Sequence, residues 1–139
     1  MLHTILPAFI SDHEQMRLAM RGIASTVVIV SSCDHVGQPY AITANSFTSV
    51  SFDPPTILVC INKNASIHAS LQQQQQLVIN ILSERHSAIS SACSQSKHPD
   101  RFNFPEWQYN EQRLPYIADA QSVFFCQIDQ KLTSGHIRS

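Results

Sequence analysis

The sequence predicts one mainly β domain, an antiparallel barrel with helices packed on its outside. Three observations lead there. Six or seven short β-branched or apolar runs are separated by long polar connections. Strict β-α-β alternation is missing, which argues against a doubly wound parallel sheet. The chain holds three glycines and no G-x-G-x-x-G, which speaks against a Rossmann-type nucleotide site.

The length of 139 residues suits a single domain, 1–139, and leaves no room for two. At 43% hydrophobic and 14% charged, the composition supports a packed core and argues against disorder. The formal net charge of −1 gives no basic excess for a phosphate backbone, so nucleic acid is not an expected partner. No apolar run reaches the length of about 18 residues that a membrane span needs, and no membrane partner is expected. Met1 to Ile10 lacks a basic n-region and a full apolar h-region, so no secretory signal is expected and the location is cytoplasmic. Cys33, Cys60, Cys93 and Cys126 form no C-x-x-C and read as buried thiols.

The elements follow in order. Ser11-Asp12-His13-Glu14 has the form of a capping box and opens a helix at about 12–22, with Gly22 placed to end it. Thr26 to Ser32 is a continuous β-branched and apolar run, the pattern of a strand buried on both faces. Gly37-Gln38-Pro39 makes a turn. Tyr40 to Thr43 and Phe47 to Phe52 are strands interrupted near Asn45, and Asp53-Pro54-Pro55 stops the second. Thr56 to Ile61 resumes as a buried strand. Ser66 caps a short helix to about Gln74, and the glutamine run Gln72 to Gln76 reads as its solvated end. Leu77 to Leu82 is a strand, and Ser83 caps a helix over Glu84 to Cys93. Ser96 to Pro115 is long, polar and aromatic-bearing, the kind of loop that covers a site. Ser122 to Gln130 is a strand, and the chain stops a few residues into what reads as another.

Chemistry concentrates in two stretches. Thr43 to Ser51 packs six hydroxyl or amide side chains into nine residues between two strands. With backbone N–H groups freed at a strand break, these can hydrogen-bond a flavin's carbonyls and ring nitrogens. The other reading is a Ser/Thr-rich strand facing water. Asn62-Lys63-Asn64-Ala65-Ser66 is a loop entering a helix. Lys63, Ser66 and the helix N-terminus together can hold a phosphate, though many exposed helix starts look alike. The seven histidines form no H-x-x-x-H or H-E-x-x-H, so no metal is expected. His136, after Gly135 near a presumed barrel strand, is the most interesting of them.

Thr43-Ala44-Asn45-Ser46-Phe47-Thr48-Ser49-Val50-Ser51-Phe52-Asp53-Pro54-Pro55 closely resembles the T-A-x-S-F-T-S-V-S-L-D-P-P signature of the flavin reductase-like family, which includes reductase components of two-component flavin monooxygenases. Other pieces agree in order. Met20-Arg21 with Val27 to Val30 resembles the family's opening, and Gly37-Gln38-Pro39 resembles its D-G-x-P turn. Leu58 to Asn62 with Ser66 resembles its strand and phosphate loop, Val78 to Leu82 its A-V-N-V-L, and Arg101-Phe102 with Trp107 its R-F loop.

The resemblance implies an FMN-binding split β-barrel homodimer that passes hydride from NADH or NADPH to flavin mononucleotide (FMN), with FAD as an alternative. It further implies supply of reduced flavin to a partner monooxygenase. Thr43, Ala44, Asn45, Ser46, Ser49, Val50 and Ser51 would line the isoalloxazine and ribityl chain. Cys60, Ile61, Asn62, Lys63 and Ser66 would follow the ribityl–phosphate end, and His136 would stand near the nicotinamide. Three departures accompany it. The glycine before the V-x-V-V run is Ser25 or Thr26 here, and the family's G-D-H reads Ser134-Gly135-His136 without the aspartate. The family's usual C-terminal segment is expected to be missing after Ser139. A non-catalytic flavin- or haem-binding barrel, or an inactive truncated relative, is the alternative reading.

Overall fold

The computed structural model describes residues 27–44, 46–62, 65–95 and 100–131. They form β1 (Val28–Cys33), β2 (Pro39–Ala44), β3 (Phe47–Phe52), β4 (Pro55–Val59), α1 (Ser66–Gln73) and β5 (Gln76–Ile81). A 3-10 turn (Glu84–His86), α2 (Ser87–Ser94), β6 (Trp107–Tyr109), β7 (Pro115–Ile117) and β8 (Ser122–Gln127) complete them. A four-stranded antiparallel sheet runs in the order β2-β1-β5-β8, and β3–β4 and β6–β7 are separate hairpins. This is the mainly β architecture with flanking helices that the sequence predicts. The helix expected at about 12–22 and the last strand expected near His136 lie outside the described residues. No helix among the described residues is long and apolar enough to cross a membrane.

β1 is buried at all its positions, as its unbroken apolar run predicts. Successive side chains of a strand point to opposite faces, and β1 fills a different cluster on each. Val28 and Val30 pack with Ile67 and Leu71 of α1 and with Ile79, while Ile29 packs with Ile89 and Cys93 of α2, Trp107 and Ile117. The turn into β2 is set by Asp34, whose Oδ1 accepts the N–H groups of Val36 (3.0 Å) and Gln38 (2.9 Å). Gly37 within it has φ +86°, a conformation that L side chains rarely adopt.

Several expectations need correction. β4 ends at Val59 and is not buried, because β3 is its only ladder partner among the described residues. Val50, Phe52 and Leu58 on this hairpin are 50%, 89% and 45% exposed. Pro55 opens β4, a position at which proline costs no ladder bond. Ser66 is the first residue of α1, and the cap position is Ala65. Of the glutamine run, Gln74 turns inward and donates from Nε2 to Cys33 O (2.8 Å), and Gln76 opens β5. The helix after Ser83 begins as a 3-10 turn. Cys60 is exposed, unlike the buried Cys33 and Cys93. The segment expected as a loop to Pro115 contains β6 and the start of β7, and Phe102, Phe104 and Trp107 pack onto the core.

Several polar groups buried in this core have specific partners, although Ser70 Oγ and Glu106 Oε2 are buried without one among the described residues. Asn80, fully buried in β5, donates from Nδ2 to Ile29 O (2.9 Å) and Ser31 Oγ (3.0 Å), and its Oδ1 accepts Ile117 N–H (2.9 Å). Ser31 Oγ in turn donates to Pro115 O (2.6 Å). One network thus ties β1, β5 and β7. His86, 2% exposed in its side chain, accepts the Ser83 N–H at Nδ1 (3.0 Å). Its ring hydrogen therefore sits on Nε2 and is donated to Asp119 Oδ1 (3.0 Å). That bond, above all, holds the Asp119 carboxyl below its ordinary pKa.

Two predictions arise here. Asn80→Leu removes the network at nearly constant volume and orphans buried groups at about 1–3 kcal/mol each. The denaturation midpoint should drop by the equivalent of about 2–4 kcal/mol at unchanged m-value; a loss under about 0.5 kcal/mol would show the network to be dispensable. The second concerns Asp119. A carboxylate with a depressed folded-state pKa adds stability above its unfolded pKa and loses it as pH falls through the lower folded value. Asp119 is 42% exposed, so the gain lies within the range of up to about 1 kcal/mol found for exposed pairs. Asp119→Asn should therefore be less stable than the parent near neutrality. The gap should close as the solution is acidified below the usual carboxylate range, about pH 4. Thermal melts across about pH 2 to 7 decide it, and a pH-independent gap refutes the assignment.

Candidate functional site

Two concavities stand out on the described surface. One, of about 540 Å³, is lined by Ser83, Glu84, Arg85, Asp119, Ala120 and Gln121. Its charged groups face one another. Arg85 Nη2 donates to Asp119 O (3.0 Å), Arg85 Nε lies 3.6 Å from Asp119 Oδ2, and His86 binds the same carboxylate. This is a braced corner between the 3-10 turn and the β7–β8 connection.

The other, of about 420 Å³, is lined by Ile42, Thr43, Ala44, Ser46, Cys60, Ile61 and Asn62. The chain meets itself here because the β3–β4 hairpin returns to its own base. Cys60 N donates to Ser46 O (3.1 Å), which sets the residues leaving β4 opposite those leaving β2. The chain then turns into α1, with Ala65 N donating to Asn62 O (3.0 Å). Ile42, Thr43 and Ala44 belong to β2, the edge strand of the sheet.

Six of the predicted site residues, Thr43, Ala44, Ser46, Cys60, Ile61 and Asn62, thus line one cavity although 14 positions separate Ser46 from Cys60. Ser49, Val50, Ser51 and Ser66 do not line it. The first three lie on β3, and Ser66 lies in the first turn of α1. Asn45, Lys63 and His136 lie outside the described residues. Ile42 was missed by the sequence reading. It directly precedes the signature on the same strand, and that adjacency was the available signal.

The hydroxyls of the signature are less available than their number suggests. Thr43 Oγ1 donates to Ser90 O of α2 (2.6 Å), and Ser51 Oγ accepts the Asp53 N–H (3.2 Å) in the hairpin turn. These two hydroxyls bond the backbone, which neither the ligand-binding reading nor that of a strand facing water had placed there. None of the seven lining side chains is charged. Small residues, Ala44, Ser46 and Cys60, leave width for a flat ring, and aliphatic Ile42 and Ile61 sit beside polar Ser46 and Asn62. Such a lining suits a planar, partly polar heterocycle, an isoalloxazine included. No group of three or more His, Cys, Asp or Glu side chains suited to a metal occurs among the described residues.

Comparison with known proteins agrees with this geometry. Residues 20–137 match the family model described as "Flavin reductase like domain". The chain is 32% identical over 130 residues to the stachydrine N-demethylase reductase subunit Stc3 of Rhizobium meliloti, covering 94% of this chain and 56% of that protein. It is 33% identical over 126 residues to the FMN reductase (NADH) RutF of Acinetobacter baylyi, covering 89% and 66%. The first relatives matched are longer, and this chain spans 42% to 66% of their length. Among solved structures, BorF, the flavin reductase component of a bacterial two-component tryptophan halogenase, superposes with a TM-score of 0.77 at 29% identity, covering 89% of this chain and 79% of that one. The NADH:FAD oxidoreductase SgcE6 of Streptomyces globisporus, in complex with NAD and FAD fragments, superposes with a TM-score of 0.77 at 27% identity, covering 93% and 75%. These likenesses extend over nearly the whole sheet and both walls of the cavity, and the chain belongs to the flavin reductase-like family, with its split-barrel fold.

Proposed function

We propose that this chain binds FMN, or FAD, with its ring in the cavity between β2 and the residues after β4, and that it catalyses flavin reduction by NADH or NADPH. The observation that carries the reading is the meeting of Thr43, Ala44 and Ser46 with Cys60, Ile61 and Asn62 around one neutral, small-walled space. The relatives support both halves of the proposal: RutF is an FMN reductase (NADH), and SgcE6 is an NADH:FAD oxidoreductase.

The bound flavin supplies the hydride acceptor, so the protein needs no acid–base pair for that step. The chain's own task is positional. β2 and the Cys60–Asn62 segment would hold the ring, and backbone N–H groups near the strand break could favour negative charge on it. Lys63 and Ser66, at the entry to α1, hold the phosphate by charge and hydroxyl. Asn45, Ser49, Val50 and Ser51 would meet parts of the flavin outside that cavity, and His136 would orient the nicotinamide.

The working form is a homodimer in the cytoplasm. Its support is the apolar surface on the β3–β4 hairpin and on β8, where Val50, Phe52, Leu58, Phe124 and Phe125 are exposed in the single chain. A partner oxygenase receives the reduced flavin. The support is again nominal: one relative is the reductase component of an FADH2-dependent resorcinol hydroxylase, and BorF serves a halogenase.

Titration with FMN should give a saturable change in flavin fluorescence below about 100 μM, and NADH or NADPH should bleach the bound flavin. His136→Ala should slow that bleaching in stopped flow at unchanged flavin affinity. No saturable change removes the reading, and binding without bleaching leaves a flavin carrier. For the phosphate contacts, Lys63→Ala and Ser66→Ala should weaken FMN by about ten- to a hundredfold and riboflavin far less. Equal losses for both ligands would show that these side chains do not read the phosphate.

A further inference from the structure

The wall of the cavity formed by β2 is held from behind. Arg101, 7% exposed, donates from Nη1 to Ala41 O (2.5 Å) and from Nη2 to Gln95 O. Ala41 directly precedes the three lining residues of β2, and Gln95 is the C-cap of α2. One guanidinium therefore spans from the edge strand to the end of the helix packed against it. A second tie lies along the same pair of elements, Thr43 Oγ1 to Ser90 O. The loop that carries Arg101 is fixed in turn by Trp107, whose Nε1 donates to Arg101 O (2.7 Å). Arg101 itself does not line the cavity.

We propose that Arg101 is a positioning residue for flavin binding: by stapling β2 to the C-terminal end of α2 it sets where Ile42, Thr43 and Ala44 stand in the cavity wall. The inference rests on the flavin reading of that cavity. Its physical basis is the fork of the guanidinium. Among the described residues β2 lies at the sheet edge with one ladder partner, β1, so those residues fix its path from one side only. A planar fork with donors on two nitrogens reaches two carbonyls at once and fixes their separation. A lysine ammonium on a flexible stem keeps the charge and loses that geometry. A cavity wall displaced by a fraction of an ångström loses contact with a flat ring along its whole face.

The test compares the full chain with Arg101→Lys and with Ile117→Val. The second variant thins the core cluster shared by Ala41 and Ile117 and touches neither carbonyl. FMN dissociation constants are measured well below each melting temperature, together with the rise in Tm at saturating FMN. Arg101→Lys should weaken FMN by about tenfold or more, the scale of a lost charge-assisted hydrogen bond, and should lose most of the ligand-induced rise. Ile117→Val should lower Tm and leave the FMN constant within about twofold, as a site away from the wall should. If Arg101→Lys does not fold, Arg101→Gln takes its place and is read by the same ligand-induced rise. Equal FMN affinity in parent and Arg101 variant overturns the proposal, as does an equal loss in Ile117→Val, and the flavin reading survives both. No FMN binding by the parent chain overturns the flavin reading itself and the proposal with it.

Discussion

The amide of Asn80 is the constraint on which the rest of the fold depends. β5 is the second inner strand of the sheet, and Asn80 is the one polar side chain in its buried stretch. Burying an amide is tolerable only with its donors and acceptor matched. Here each is matched to a different element: the two Nδ2 hydrogens to Ile29 O and Ser31 Oγ on β1, and Oδ1 to Ile117 N–H on β7. Ser31 carries the chain onward to Pro115 O. β7 is three residues long and pairs only with β6, so it has little sheet stability of its own. Its two bonds into the network fix its depth over β1. The loop with Arg101, Phe102 and Trp107 leads into β6, the ladder partner of β7, and inherits that placement.

From that placement the cavity wall follows. The aromatic loop closes the cluster around Ile29, Ala41, Ile89 and Trp107, with the Phe102 and Trp107 rings tilted against each other at 4.9 Å between centroids. The same loop delivers Arg101 to Ala41 O and Gln95 O. The opposite wall is joined across by the backbone bond of Cys60 N to Ser46 O. The cavity is thus framed on one side by core packing carried through α2 and on the other by the base of a hairpin whose outer half is exposed. The first wall is rigid because the core behind it is dense. The second is only as firm as the hairpin, and a second copy packed on Val50, Phe52 and Leu58 would stiffen it.

What the sequence disclosed follows the reach of each signal. β1 and β5 were legible because runs such as Val28 to Val30 and Val78 to Ile81 combine β-branched character with burial between ladder neighbours, and β2 and β3 because turn residues bound them. The burial of β4 was misjudged for a physical reason. Ile57-Leu58-Val59 has the composition of β1 but pairs only with β3, and composition cannot say whether a strand's apolar face is covered by its own chain or left to a partner. Trp107-Gln108-Tyr109 is too short for a period to show. Asn80 and His86 were unreadable as structural residues because their partners Ile117 and Asp119 lie 37 and 33 positions away. Part of the signature, Thr43, Ala44 and Ser46, lines one cavity, and counting hydroxyls does not show which of them are taken up by the backbone. Thr43 and Ser51 spend theirs on the backbone.

The absence of charged side chains from the cavity lining bears on how the site divides its work. A neutral lining of small residues gives a flat ring dispersion contact and peptide dipoles, and no charge that would hold it tightly in every redox state. On the proposed reading a phosphate would be recognised separately, by Lys63, Ser66 and the helix dipole at the entry to α1. Affinity then resides largely at the phosphate end, which is unchanged by reduction, while the ring end is free to favour one electronic state slightly over another. For a protein whose relatives include reductase components of two-component systems, that separation is what release of the reduced flavin requires. A ring gripped by ion pairs would stay, whereas a ring held by dispersion and peptide dipoles can leave once the phosphate lets go.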